Sequence, residues 1–173
     1  MPSDASWYLF LDIDGVLNSN FSRASRMKRP GCTMLQAGIP SEDHLLLLER
    51  LVSAVSSLAT CRIVLSSTWR LDPADREEVV RVLSTVGLKL FGDTPDLGIS
   101  SNRVHEIRKW LSDNVDASPV WLAIDDMPLL NYSLEGELID EDHFERTYDT
   151  DGLSEDNVTS AVAKLQRQLR MKA

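Results

Sequence analysis

Two aspartates separated by a single residue, Asp12 and Asp14, are the first residues along the chain whose types and spacing could do chemistry. In an extended segment, side chains two positions apart share a side and lie roughly 7 Å apart, so the two carboxylates repel each other. A divalent cation would relieve this repulsion, and Mg²⁺ is usually held by one or two carboxylates together with substrate phosphate. Gly15 follows directly and lets the backbone turn and approach a ligand closely. The pattern therefore favours a site for Mg²⁺ and a phosphate group.

The same residues have two other interpretations, an acidic surface turn and the beginning of a calcium-binding loop. A calcium loop that begins in this way continues to a glutamate. The position nine residues after Gly15 is not acidic, and the segment 18–29 contains no acid at all. The sequence therefore argues against calcium and leaves the surface turn open.

Polar residues also follow two later apolar runs. Asp125 and Asp126 come after the run 120–124, so one of them could complete a metal site while the other orients a water or a backbone group. Ser66 and Ser67 follow another apolar run, and hydroxyl and backbone N–H groups at such a turn can donate to a phosphate oxygen. Each pair could also be an ordinary turn at the end of a strand.

A bound phosphate also needs a cation. Arg103 has the best position because it begins a helix that leads into the strand before Asp125, whereas Arg70 and Lys109 are rivals that the sequence does not exclude. The longest local basic cluster comprises Arg23, Arg26, Lys28 and Arg29. The cluster is equally compatible with a solvated loop and with steering of phosphate.

Apolar runs and helical stretches alternate along the chain, which indicates β-α units and a parallel sheet. The continuous runs 7–11, 63–65 and 120–124 are typical of strands that are buried on both faces. A further strand is expected at 88–91, and an edge strand at 143–148.

Helix signals occupy the segments between these strands. Ser41 is the predicted N-cap of one helix, and Asp72 followed by Pro73 begins another. Ser101 is predicted to cap a helix that runs to Leu111, and the last helix covers about 154–169. The segment 18–40 is irregular, and we expect an ordered loop or a short hairpin there.

The predicted fold class is α/β: a three-layer, doubly wound, mostly parallel five-stranded sheet with helices on both faces, in a Rossmann-like arrangement. In an open parallel sheet, ligands bind outside the carboxyl ends of the strands, where the strand order switches. The three polar strand ends are therefore expected to meet in one crevice.

Composition bounds the remaining possibilities. The chain has a formal net charge of −9, which argues against non-specific coating of nucleic acid. Its two cysteines form no CxxC or Cys/His cluster, so neither a zinc site nor a disulfide framework is indicated. No apolar run reaches the roughly 18 residues of a membrane span, and no signal peptide pattern is visible. We therefore expect a cytoplasmic protein with a single domain over 1–173 and no membrane partner, and the oligomeric state stays open.

Taken together, these motifs resemble those of the haloacid dehalogenase (HAD) superfamily. Its first motif, an apolar strand followed by Asp-x-Asp-Gly, corresponds to residues 11–16, and its second, an apolar strand ending in Ser or Thr, to 63–66. Arg103 is the best match to the basic third motif, and 123–126 match the acidic fourth. The order and spacing fit across nearly the whole chain.

Longer stretches are similar to one branch in particular, the small HAD domains associated with RNA-repair proteins. They are Leu-Asp-Ile-Asp-Gly-Val-Leu-Asn, Leu-Ser-Ser-Thr-Trp-Arg, Arg-x-x-Glu-Ile-x-x-Trp-Leu, and Asp-Gly-Leu-Ser near the C-terminus.

The resemblance implies a Mg²⁺-dependent phosphoric monoester hydrolase. Asp12 would attack phosphorus and form an aspartyl-phosphate, while Asp14 would protonate the leaving oxygen and then activate the hydrolytic water. Mg²⁺ would be held by Asp12, by Asp14 through its backbone carbonyl, and by Asp125 or Asp126.

The resemblance also implies that Ser66 and Arg103 bind the transferring phosphoryl group. Superfamily members that act on small metabolites often carry a sizeable cap domain, whereas the gap after the first motif spans only 18–40 here. An open site of this kind suits a large substrate, such as a nucleic-acid end or a phosphoprotein. A nucleotide substrate, a lid from a second subunit, and a catalytically silent binding module are the alternatives.

Overall fold

A computed structural model describes residues 5–98, 102–115, 118–131 and 139–172. The described chain contains one five-stranded sheet in the order β3-β2-β1-β4-β5, and every strand pairs with its neighbour in parallel. The strands are β1 (Ser6–Leu11), β2 (Thr60–Leu65), β3 (Leu90–Asp93), β4 (Val120–Asp125) and β5 (Phe144–Arg146). The predicted α/β fold class is confirmed, and the two outer strands are shifted or shorter than predicted.

The described residues form six α-helices, of which five lie between strands and the last follows β5. They are α1 (Asn20–Met27), α2 (Met34–Gly38), α3 (Glu42–Val55), α4 (Pro73–Thr85), α5 (Arg103–Asn114) and α6 (Glu155–Arg170). Parallel strands require crossovers of this kind, and the helices cover both faces of the sheet.

Alternate residues of the central strand enter two separate cores. Trp7, Leu9 and Leu11 face the side covered by α3, α4 and α6, whereas Phe10 faces the side covered by α5. Phe10 is completely buried and contacts Trp110 of α5 edge to face. Burial on both faces explains why the strand has a continuous run of apolar and aromatic residues from Trp7 to Leu11.

Several predicted helix starts are confirmed by side-chain caps. Ser41 accepts a hydrogen bond from the backbone N–H of His44, and Asp72 accepts from Ala74 and Asp75 before Pro73 begins α4. The prediction for α5 was one residue early: its N-cap is Asn102, whose side chain accepts from the N–H of His105. Ser101 itself lies outside the described residues.

The prediction of a loop or hairpin at 18–40 is wrong, because this segment forms α1 and α2. Ser19 caps α1 through the N–H of Ser22, and Thr33 forms a capping box with Gln36 at α2. No residue of α1 is buried, and its apolar residues are only Phe21, Ala24 and Met27, which is too short a stripe to reveal a helix in the sequence.

The strand order switches direction at β1, which lies between β2 and β4. Backbone pairing continues past the strand ends there: the N–H of Asp12 donates to Ile124 at 3.1 Å, and that of Ser66 donates to Leu11 at 3.0 Å. The ends of three strands therefore lie side by side at the position where open sheets bind ligands.

In the part of the chain that the structure describes, no helix is both long and apolar enough to cross a membrane.

Candidate functional site

Three carboxylates meet at the carboxyl ends of β1 and β4. Asp12, Asp125 and Asp126 each offer one oxygen, and these oxygens lie within 4.8 Å of one another. Asp12 and Asp125 are 5 % and 1 % exposed, whereas Asp126 is only partly buried. A set of close carboxylate oxygens is the donor chemistry that a hard divalent cation such as Mg²⁺ requires.

Arg103, the first residue of α5, is the cation of this cluster. Its Nη1 lies 2.6 Å from Asp125 Oδ2 and 3.1 Å from Asp12 Oδ1, and its side chain is 10 % exposed. The side chain predicted to bind phosphate therefore lies beside the residue predicted to attack phosphorus.

Burial and mutual repulsion disturb the protonation of the cluster. Burial, with the charge of Asp12 added to it, raises the pKa of Asp125 to about 7, although Arg103 and the N–H of Met127 oppose the shift. Burial and Asp12 also raise the pKa of Asp126. Burial alone would lower the pKa of Arg103, but Asp125 and Asp12 outweigh it and the pKa is raised. The site thus favours either a bound proton or a second cation.

Gly15 makes room for Asp126. Gly15 has φ +73°, and a Cβ at this position would lie 2.4 Å from the Asp126 Oδ2. Its N–H donates to Asn18 at 3.1 Å and its carbonyl accepts from Thr147 Oγ1 at 2.8 Å. The turn is fixed by these two bonds, and a contact between Gly15 and phosphate stays a prediction.

The carboxylate of Asp14 lies outside the three-acid cluster and has its own donors. Trp69 Nε1 donates to Oδ2 at 2.8 Å, while Oδ1 accepts from Asn18 at 3.2 Å and forms an ion pair with Arg23. The Asp14 side chain is 48 % exposed, so it lies at the solvent-facing edge of the site, which we call the mouth of the site. Neither Trp69 nor Arg23 had been assigned a role at Asp14 from the sequence.

Ser66 and Ser67 occupy the end of β2 but differ in their bonding. Ser66 is 1 % exposed, and its Oγ is buried without a hydrogen-bond partner among the described residues. Ser67 Oγ accepts from the N–H of Trp69 at 3.4 Å and so caps the short 3₁₀ turn that follows. Because buried hydroxyls normally have partners, Ser66 is the one suited to an absent ligand.

The two rivals of Arg103 are engaged elsewhere. The Arg70 side chain is 5 % exposed and pairs with Glu106 of α5 at 2.7 Å. Its other N–H groups donate to the backbone carbonyls of Ser66, Ser67, Thr94 and Pro95. Lys109 pairs with Asp113 one turn further along α5, and both side chains are about half exposed. Arg70 therefore links β2, the end of β3 and α5, and Arg103 is left as the cation beside Asp12.

Comparison with known families agrees with this geometry. The model of the HAD domain in Swiss Army Knife RNA repair proteins matches residues 8–158, which is most of the chain. The protein is therefore a HAD-like domain, and it belongs to the family of HAD domains found in Swiss Army Knife RNA repair proteins. Comparison with curated proteins and with solved structures gave no match. The resemblance inferred from the motifs is confirmed, and the family indicates a function of the hydrolase or phosphatase type.

The close approach of Gly15 to Asp126 leads to a prediction about stability. Gly15→Ala should lower the free energy of unfolding by about 2–4 kcal/mol, because strain at positive φ adds to the clash. Gly87→Ala is the matched control, since Gly87 has φ +75° and open space around its Cβ position; its cost should be about 1 kcal/mol. Urea unfolding, monitored by tryptophan fluorescence, measures the free energy of unfolding of both variants. Equal losses would show that the clash between residue 15 and Asp126 is relieved.

The raised pKa of Asp125 leads to a prediction about pH. Between its ordinary value of 3.8 and about 7, folded Asp125 keeps a proton that the unfolded chain has released. Stability relative to Asp125→Asn should therefore fall as pH rises through this window, with a slope of at most about 1.4 kcal/mol per unit. Mg²⁺ needs deprotonated ligands, so its stabilisation should be larger at pH 8 than at pH 5. Thermal unfolding with and without Mg²⁺ measures both effects. A stability difference between the wild type and Asp125→Asn that does not change with pH contradicts the raised pKa of Asp125.

Proposed function

We propose that this protein is a Mg²⁺-dependent phosphatase that acts through an aspartyl-phosphate on Asp12. The observation that carries the proposal is the cluster of Asp12, Asp125 and Asp126 around Arg103, at the switch in strand order. Phosphoryl transfer needs mainly positioning and charge neutralisation, and this cluster provides both.

In the first step, a carboxylate oxygen of Asp12 forms a bond to phosphorus while the bond from phosphorus to the leaving oxygen breaks. Asp14 gives its proton to that oxygen and so releases an alcohol. In the second step, Asp14 takes a proton from water as the water oxygen attacks phosphorus, which frees inorganic phosphate and the Asp12 carboxylate. The partly exposed position of Asp14 supports this role, because leaving group and water both enter from the mouth.

The phosphoryl oxygens need donors that stand ready before the reaction. Arg103 offers charge-assisted N–H groups beside Asp12, and Ser66 offers a buried hydroxyl without a partner in the described structure. Ser67 and Gly15 are further candidates, although each already has internal hydrogen bonds. Preformed donors of this kind cost no reorganisation when charge develops.

Mg²⁺ would be held by Asp12, the backbone carbonyl of Asp14, and Asp126, and when bound it neutralises negative charge between nucleophile and phosphate. Asp126 is the better ligand of the acidic pair, because Asp125 already accepts from Arg103 and from the N–H of Met127 at 2.9 Å. Asp125 then orients Arg103, and Asp126 completes the metal site.

The natural substrate we propose is a phosphorylated nucleic-acid end. The family supports this choice because its domains occur in RNA repair proteins, and the cap segment is limited to α1 and α2. A phosphoprotein and a mononucleotide are the competing substrates. Turnover of oligonucleotides with 5′- or 3′-terminal phosphate, compared with mononucleotides, separates them; a strong preference for mononucleotides contradicts the proposal.

The nucleophile is tested by Asp12→Asn. Release of phosphate from an aryl phosphate at saturating Mg²⁺ should fall at least about 1000-fold, because the amide cannot form the covalent intermediate. Asp113→Asn on the exposed surface of α5 is the matched control and should keep full activity. EDTA should abolish turnover by the wild type. Unchanged turnover by Asp12→Asn would eliminate Asp12 as the nucleophile.

The same substitution at each position distinguishes the role of Arg103 from that of Arg70. Arg103→Gln should lower kcat/KM about 100- to 1000-fold, because a preformed donor to the phosphoryl oxygens is lost. Arg70→Gln should instead lower the free energy of unfolding by about 3–5 kcal/mol, because it breaks a buried ion pair with Glu106. Both stabilities are measured by urea unfolding in Mg²⁺. A fully stable Arg70→Gln protein without turnover would make Arg70 the phosphate ligand.

A further inference from the structure

Helix α1 stands at the mouth of the site and is held there by polar contacts. The backbone N–H groups of Asn20 and Phe21 donate to Asp149 at 2.8 Å and to Thr150 at 3.0 Å. No side chain of the helix is buried, and Phe21 is 74 % exposed. The helix therefore contributes little to the core, and its side chains are available to a molecule that enters the site.

Arg23 is the residue of α1 that reaches the carboxylate of Asp14. Its Nη2 pairs with Asp14 Oδ1, and its Nε donates to the side chain of Asn18 at 2.9 Å. Nη1 has no hydrogen-bond partner among the residues that the structure describes. The guanidinium thus keeps donors free in a fork that suits phosphate oxygens.

The ion pair between Arg23 and Asp14 is exchangeable. The two side chains are 40 % and 48 % exposed, and exposed pairs contribute only about 0–1 kcal/mol. An entering phosphate can therefore take Arg23 as a partner at little cost. Asp14 has two other donors, Trp69 and Asn18, besides Arg23.

The segment that carries Arg23 is also rich in cations. Arg26, one turn later, is followed by Lys28 and Arg29, and the segment 18–29 contains no acid. Burial lowers the pKa of Arg26; among its neighbours, Cys32 opposes this shift, whereas Arg29 and Arg23 add to it. A chain with net charge −9 therefore carries a basic segment that reaches Asp14 through Arg23, which favours an anionic partner.

We propose that Arg23 is a specificity-determining residue that binds the first phosphodiester on the leaving-group side of a terminal phosphate. The inference rests on the proposed phosphatase activity, in which Asp14 protonates the leaving oxygen. The group attached to that oxygen then lies beside Arg23. A nucleoside leaving group has no charge there, whereas the next nucleotide of a strand supplies one phosphodiester charge.

The test compares two substrates that differ in that one charge. They are a dithymidylate with a terminal phosphate and the same molecule with an uncharged methylphosphonate linkage, each with the phosphate at the 5′ or the 3′ end. The wild type should prefer the charged linkage about tenfold in kcat/KM, consistent with one charge-assisted contact. Arg23→Gln should remove this preference by slowing only the charged substrate, and Arg23→Lys should keep part of it.

Arg81→Gln is the matched control, because Arg81 is an exposed arginine of α4 that pairs only with Glu78 among the described residues. It should leave both substrates unchanged. If Arg23→Gln slows both substrates equally, Arg23 merely positions Asp14 or α1, and the proposal is wrong. A wild type that does not distinguish the two linkages overturns it as well.

A binding measurement separates this inference from the proposed activity. If the wild type hydrolyses neither substrate, the phosphatase proposal fails by itself. Fluorescence anisotropy then compares labelled forms of the two oligonucleotides on the Asp12→Asn protein, with and without Arg23→Gln. Tighter binding of the charged linkage that Arg23→Gln abolishes supports the recognition of a phosphodiester, and equal binding overturns it.

Discussion

Repulsion among Asp12, Asp125 and Asp126, balanced by Arg103, is the constraint on which the rest of the site depends. Three carboxylate oxygens within 4.8 Å are unfavourable at the end of a buried sheet unless cations accompany them. One guanidinium provides part of the balance, and burial together with the charge of Asp12 still raises the pKa of Asp125. The cluster therefore favours a further positive charge at the carboxyl ends of β1 and β4. In the function we propose, Mg²⁺ would supply that charge and would also offset the negative charge of the phosphate.

The elements around the cluster explain how such an unfavourable group stays in place. Arg103 begins α5, and the same helix carries Glu106, which binds Arg70 and through it the carbonyls at the ends of β2 and β3. Trp110 of α5 packs on Phe10 of the central strand. Because one rigid helix is held at both the sheet and the loops, Arg103 is positioned independently of the ligand. If Arg103 binds phosphate as we propose, that side of the site is preformed, as electrostatic stabilisation requires.

The features that were predicted from the sequence are those with local signals. Continuous apolar runs that end in acids located Asp12 and Asp125, and cap residues located Ser41 and Asp72. The start of α5 was missed by one position because Ser101 and Asn102 are both capable caps. Helices α1 and α2 were missed because both are short: α1 has eight residues with three apolar ones and buries none of them, and α2 has five residues. The partners of Asp14 depend on tertiary contacts: Trp69 is 55 positions away, and Arg23 reaches it only because α1 forms. The distinction between Arg70 and Arg103 likewise required knowledge of the loop after β3.

The two sides of the proposed site differ in their exposure to solvent, and this difference bears on which substrates the protein could bind. On the phosphate side, Asp12, Asp125 and Arg103 are nearly inaccessible to solvent and fixed by the sheet and α5. On the leaving-group side, Asp14 and Arg23 are about half exposed and are joined by a weak surface pair. In the function we propose, the buried half would bind only the phosphoryl group, which is the same in every phosphomonoester. Discrimination among substrates would then come from the exposed half, where Arg23 of α1 pairs with Asp14.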